Sequence, residues 1–401
     1  MNQNEFRALF PQTSRTVYGK PLVYLDNAAT SLRPKPVLKC WNEISSNTTA
    51  NLHRAVHLVA TEATQAYEQA REDVAAYIKA ADNQEVVFTS GATHALNLLA
   101  FSLGEAFISE GDEIIVSEAE HHSNLVPWQM LCARKGAVLK RLGVDQTGRL
   151  KTEDLPSLLS SRTKILAVAH VSNVLGLINP VHQIADICHA KGCLVVVDGA
   201  QGIVHQRVDV KDLGCDFYVF SGHKMYAAPG TGVMWGKKEL LEHIPPMFGG
   251  GEMIESVSWE SSTYAPPPRK FEAGTQNISG TPTFSPAVDL MRKMPKIEDI
   301  KKYVYKALIN EPGVHLFGTT SDLSHKVPVF SFTVEGAHHE DLALILDKMG
   351  IAVRSGQMCA EPLMDRFGVT GMLRASFAPY NTLQEAEYFI SSLRKAIKML
   401  Q

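Results

Sequence analysis

The chain lacks any apolar run long enough to span a bilayer, lacks a Lys/Arg-rich block, and carries only six cysteines in 401 residues. Each absence removes a class of function. Without an apolar run of about 20 residues there is no candidate transmembrane helix. A formal net charge of -3 with interspersed signs leaves no electrostatic footprint for nucleic acid or an anionic membrane, so neither partner is expected. Cysteines at 40, 132, 188, 193, 215 and 359 are too sparse for a secreted disulfide scaffold and read mostly as buried thiols. Cys188 and Cys193 read as a helix end turning into a strand. No second ligand pair sits at a matching spacing, so no metal is expected. Met1-Asn-Gln-Asn-Glu-Phe-Arg-Ala8 has neither an apolar signal core nor an Arg-rich, acid-poor transit pattern, which makes a cytoplasmic location the expectation.

What is present is core-forming material. A hydrophobic content of 45% over this length supports a large domain and a smaller one. Between residues 60 and 240 helical periodicity alternates with short apolar runs, the pattern of a mainly parallel sheet covered on both faces. Ala60 to Ala80 predicts an amphipathic helix. Seven strands are predicted: Glu85 to Thr89, Glu113 to Ser117, Val138 to Leu142, Ile165 to Ala169, Leu194 to Val197, Phe217 to Ser221 and Gly232 to Trp235. Beyond Gly249-Gly-Gly251 and Pro266-Pro-Pro268 the pattern changes. Helices at 297–308, 340–349 and 385–400 alternate with strands at 327–334 and 373–377, an α+β layer. The fold class is therefore α/β, with residues 20–285 as the large domain and residues 1–19 and 286–401 as the small one.

The most informative run is Asp216-Phe-Tyr-Val-Phe-Ser-Gly-His-Lys224, which follows Leu194-Val-Val-Val-Asp198-Gly-Ala-Gln201. Two strands ending in a carboxylate and an amine place both groups at one sheet edge, as a pyridine-aldehyde cofactor requires. Thr93, in Thr89-Ser-Gly-Ala-Thr93-His94, lies between a strand and a helix expected to begin near Ala95. It suits a phosphate, and equally an ordinary N-cap. His121, in Glu118-Ala-Glu-His-His-Ser-Asn124, offers a ring to stack on the cofactor; adjacent histidines on a loop rarely share a metal. Asn173 follows another strand and reads either as a hydrogen-bond donor to the cofactor or as a turn residue. Cys359, five residues after Arg354 in a Gly- and Pro-bounded loop, reads as an exposed reactive thiol or as a structural one. Arg374 offers a planar fork for a carboxylate or for a structural ion pair.

Together with Tyr24-Leu-Asp-Asn-Ala-Ala-Thr30, His53-Arg54 and Phe271-Glu-Ala-Gly-Thr-Gln-Asn277, these motifs resemble the cysteine desulfurases. The resemblance runs nearly end to end and is to the SufS/CsdA group of the class V aminotransferase superfamily, with fold type I of the PLP-dependent transferases. It implies pyridoxal 5'-phosphate as cofactor, with Lys224 as the Schiff-base lysine, Asp198 on the pyridinium nitrogen and His121 stacked on the ring. Gln201 and Asn173 would bond the phenolic oxygen side, and Thr93, Ser221 and His223 would hold the phosphate. Thr275 would reach the phosphate of the neighbouring subunit of a homodimer. Arg374, with Arg354 in the same pocket, would bind the substrate carboxylate, and Cys359 would accept sulfur as a persulfide.

The implied reaction converts L-cysteine to L-alanine and supplies sulfur for iron-sulfur cluster assembly, through an acceptor protein of SufE/SufU type. A selenocysteine lyase acting on L-selenocysteine, or a non-catalytic scaffold relative, is the alternative. Two departures stand out. Gln357-Met358 occupies the position where relatives carry one or two histidines, and the segment between Pro282 and Pro312 is several residues shorter.

Overall fold

A computed structural model describes residues 1–401. Seven strands form the principal sheet: β1 (Val86–Thr89), β2 (Glu113–Ser117), β3 (Val138–Leu142), β4 (Thr163–Ala169), β5 (Leu194–Asp198), β6 (Phe217–Ser221) and β7 (Gly232–Gly236). Their spatial order is β1-β7-β6-β5-β4-β2-β3. The pairs from β6 to β3 are parallel, and β7 runs antiparallel to both of its neighbours. The mainly parallel seven-stranded sheet expected from the alternation of elements is thus present, with one strand reversed.

Alternation along each strand divides the core. Val195 and Val197 of β5 join a cluster with Tyr67, Ala70 and Val74 of helix α1 (Leu58–Ile78). Val196 points the other way, into a cluster with Leu96, Leu99 and Leu103 of helix α2 (Ala92–Phe107). With both faces covered, inner strands such as β5 and β6 are nearly continuous apolar runs, and this is what made them visible in the sequence.

A second sheet has the order β8-β9-β11-β10, comprising β8 (Val314–Phe317), β9 (Val329–Val334), β10 (Arg354–Gly356) and β11 (Met372–Ser376), all antiparallel. Helices α3 (Glu298–Ile309), α4 (His339–Lys348) and α6 (Leu383–Leu400) cover it, contributing Val304, Leu346 and Phe389 to a separate apolar cluster. A seven-residue helix, α5 (Glu361–Phe367), follows the Cys359 loop. Val23–Tyr24 pairs in parallel with Ile351–Ala352, and Val23 and Leu25 pack in the cluster of this smaller sheet. The sequence reading found β9, β11 and the three covering helices but missed β8 and β10. Those strands are short and half-exposed, so neither shows an apolar alternation. No helix is long and apolar enough to cross a membrane.

Candidate active site

The C-terminal ends of β2, β4, β5 and β6 face one edge of the sheet. β2 and β4 flank the point where the strand order reverses, where an open α/β sheet forms its crevice. A cavity of about 450 Å³ opens there. Thr93, His121, Asn173, Asp198, Ser221, His223, Lys224, Arg354, Cys359 and Arg374 all line it.

Asp198 ends β5, where it is buried and its Oδ1 accepts a hydrogen bond from Ala200 N at 2.9 Å. Burial raises its pKa, while Lys224 and the Ala200 N–H oppose that rise. Lys224 closes a short turn after β6, and burial lowers its pKa against the pull of Asp198. A carboxylate and an amine thus share one side of the cavity, each favouring the charged form of the other against the cost of burial.

Helix α2 begins at Ala92, three residues earlier than the sequence suggested, behind Gly91 at φ 154 with no side-chain cap. The first backbone bond of the helix runs from Ala95 N to Gly91 O, so the N–H groups before it project toward the cavity. Ser221 Oγ accepts from Ala92 N at 2.8 Å, tying the end of β6 to this turn. Gly232 of β7 is required beside it, because a Cβ there would collide with the Gly91 backbone. His223 Nδ1 lies 3.1 Å from Thr30 Oγ1. Burial, then Lys224 and Arg33, pushes the pKa of His223 down to about 4. The result is an electropositive, donor-rich corner suited to an anion.

His121 Nδ1 accepts from Ser123 N at 3.1 Å, and burial followed by the Lys224 charge pushes its pKa down to about 4. At neutral pH it presents an uncharged ring. Beneath it, Glu120 accepts from Asn124 Nδ2 at 2.7 Å and Ala169 N at 2.9 Å; burial pushes its pKa up to about 7 against these bonds.

Arg374 is buried on β11. Its Nη1 donates to Asn173 O at 2.9 Å and its Nη2 to Asp26 Oδ1 at 3.2 Å, while its Nε has no partner. Arg354 Nε lies 3.5 Å from the same Asp26 oxygen. Cys359 is exposed at the cavity wall, and both it and Met358 adopt a left-handed backbone with φ 55. Such residues persist only where their surroundings fix them, at a cost of about 1–3 kcal/mol each.

The Aminotransferase class-V family profile matches residues 23–389. A probable cysteine desulfurase of Vibrio cholerae is 43% identical, with 100% of both chains covered. A cysteine desulfurase of Pectobacterium carotovorum is also 43% identical, over 98% of each chain. The solved cysteine desulfurase CsdA (S-sulfonic acid) of Escherichia coli superposes with a TM-score of 0.90 at 38% identity, covering 100% of both chains. The apo cysteine desulfurase of Thermococcus onnurineus NA1 superposes at 0.94 with 37% identity, covering 100% of this chain and 99% of the other. The chain belongs to the class-V aminotransferases, among the cysteine desulfurases.

Within this cysteine desulfurase fold two predicted site residues stand apart from the main cavity. Gln201 donates to Ala28 O at 2.7 Å and lines only a small crevice of about 10 Å³ that it shares with Lys224. Thr275 is exposed on a loop whose neighbour Glu272 is anchored by Arg71, with Nη1 to Oε1 at 2.7 Å. The Asn173 side chain donates to Met358 O at 2.9 Å, so it grips the loop of Cys359. Sequence reasoning missed Asp26 and His122. Asp26 stood inside a quoted motif and His122 beside His121, but nothing in either motif reveals a partner hundreds of residues away.

Proposed function

We propose that this cysteine desulfurase uses pyridoxal 5'-phosphate to convert L-cysteine to L-alanine, with Cys359 as the sulfur acceptor. One observation carries the reading: a single cavity holds a buried Asp198, a half-buried Lys224, a buried arginine with an unpartnered Nε, and an exposed thiol. The donor set fits the cofactor. Lys224 would hold its aldehyde carbon and Asp198 its ring nitrogen, with His121 against the ring. Thr93, Ser221, His223 and the uncapped turn of α2 would hold its phosphate. When bound, the cofactor supplies an electron sink for negative charge at the substrate α-carbon.

The chain's own residues then do the following. Arg374, with Arg354 beside it, binds the substrate carboxylate through its free N–H groups. The Lys224 amine, its proton affinity lowered by burial, takes the α proton. Cys359 Sγ attacks the substrate sulfur and forms an S–S bond as the substrate C–S bond breaks. The electron pair of the broken bond stays with the carbon fragment, which takes up one proton at Cβ, recovers the α proton from the Lys224 ammonium at Cα, and leaves as alanine. The sulfur remains on Cys359 as a persulfide.

The finer assignments are part of this proposal. Residues 20–285 form the cofactor-binding domain, and residues 1–19 with 286–401 form the small one. Two copies assemble so that Thr275 reaches the partner's phosphate site, and an acceptor protein of SufE/SufU type carries the sulfur toward iron-sulfur clusters. The test is product analysis: L-cysteine with reductant should give alanine and sulfide in equal amounts, and without reductant mass spectrometry should find one added sulfur on the Cys359 peptide. In Cys359→Ala alanine formation from L-cysteine should collapse. Undiminished cysteine turnover in that variant overturns the persulfide route. Survival of selenocysteine cleavage alone is the expected signature of selenium leaving unaided.

A further inference from the structure

His122 lines the cavity and has no part in the chemistry above. Its backbone N donates to Cys359 O at 2.7 Å. Its ring Nε2 accepts from Glu361 N at 3.1 Å, at the first turn of α5, where the preceding Ala360 provides no side-chain cap. One residue therefore grips the loop immediately before and after Ala360, and its ring does the work of a capping side chain supplied from another part of the chain.

We propose that His122 is a positioning residue that fixes the Cys359 thiol by capping α5 from the large sheet. The loop needs such a restraint. Met358 and Cys359 are consecutive non-glycine residues with left-handed backbone, a conformation L residues avoid unless neighbours impose it. Between Gln357 and Glu361 the other polar ties hold the loop upstream of the thiol or within itself. Asn173 Nδ2 bonds Met358 O, the Met358 side chain is buried in the core, Ala360 N bonds Gln357 O at 3.0 Å, and Gln357 Nε2 lies 3.2 Å from Glu361 Oε1. His122 ties the downstream end, two residues past the thiol, to the large sheet that carries Asp198 and Lys224; Arg366 does so only farther along α5, with Nη2 3.2 Å from Val144 O. A displacement of about 1 Å at a reacting atom can cost roughly 100-fold in rate, so this restraint bears on turnover.

The functional consequence rests on Cys359 being the sulfur acceptor; the restraint itself does not. The purified holoenzyme is compared as parent, His122→Ala and His122→Gln, because glutamine Oε1 can occupy the place of Nε2 as an acceptor. Two quantities are measured: the rate at which iodoacetamide alkylates Cys359, followed on its peptide by mass spectrometry, and kcat and KM for L-cysteine. His122→Ala should shift the alkylation rate at least threefold and lower kcat about tenfold with KM within twofold, and His122→Gln should recover most of both. Parental alkylation and kcat in His122→Ala overturn the proposal. So does a folded His122→Gln as impaired as His122→Ala, since an acceptor alone would then be insufficient. If the parent forms no alanine, the desulfurase reading fails, while the alkylation rates still decide whether His122 holds the loop.

Discussion

The Asp26 carboxylate holds the Arg374 guanidinium, with Oδ1 3.2 Å from Nη2 across 348 positions of chain. Burial lowers the pKa of Arg374, and Asp26 opposes that shift. With Nη1 committed to Asn173 O and Nη2 to Asp26, the guanidinium is fixed at the cavity wall while its buried Nε keeps no partner.

Replacing Arg374 by lysine keeps a positive charge but removes the fork. A lost charge-assisted hydrogen bond is worth about 1.5–3 kcal/mol, so KM for L-cysteine should rise roughly 10- to 100-fold. The cofactor absorbance should stay at the parental level. Steady-state kinetics across cysteine concentrations check this, and an unchanged KM would remove Arg374 from substrate binding.

Asp198→Asn preserves an oxygen for the Ala200 N–H and removes only the charge. By comparison with loss of other preorganised electrostatic contacts, alanine formation should fall about 10²- to 10³-fold. Thermal stability should change little, which separates lost chemistry from lost folding in one differential scan.

Acid should destabilise the fold through its buried histidines. Burial pushes His121, His170 and His223 each down to about 4. The unfolded chain protonates its histidines near pH 6.5, so between about pH 6.5 and 4 the unfolded state binds more protons. Stability is therefore retained above pH 6.5 and lost as the pH falls through this window. A Tm series should show the decline, with a shallower slope in His170→Gln. Equal slopes in parent and variant would count against burial of a neutral His170.

Arg71 and Glu272 form a buried two-pronged pair, Nη1 to Oε1 at 2.7 Å and Nη2 to Oε2 at 2.9 Å, and Glu272 also accepts from Phe88 N at 2.7 Å. Glu272→Ala leaves the buried Arg71 with only the more exposed Glu68 as counter-charge, and leaves an unsatisfied strand N–H. It should cost about 3–5 kcal/mol in urea denaturation. Loss of the Phe271–Asn277 loop geometry should accompany it, read as faster proteolysis near Thr275.

The sequence revealed much of the site because strand ends are legible. Apolar runs such as Leu194–Asp198 and Phe217–Ser221 identify strands buried on both faces, and βα alternation sends their C-terminal ends to one edge. Asp198 and Lys224 follow directly, while Ser221 and His223 come only with the family resemblance. For Cys359 the Gly- and Pro-bounded loop left an exposed and a structural thiol both open, and the fold shows it exposed. By contrast β8 and β10 were not legible, being three or four residues long with mixed exposure.

Side-chain types and local periods, set down in the sequence, determined the strands, the sheet edge they share and the chemistry available there. They could not determine which distant groups meet. That Asp26 turns Arg374, that Asn173 grips Met358 rather than standing free, and that His122 holds both sides of Ala360 depend on how the smaller sheet seats against the larger one. Those contacts join residues with no shared helical or strand period, so only the packing of the two layers brings the donors and acceptors within bonding distance.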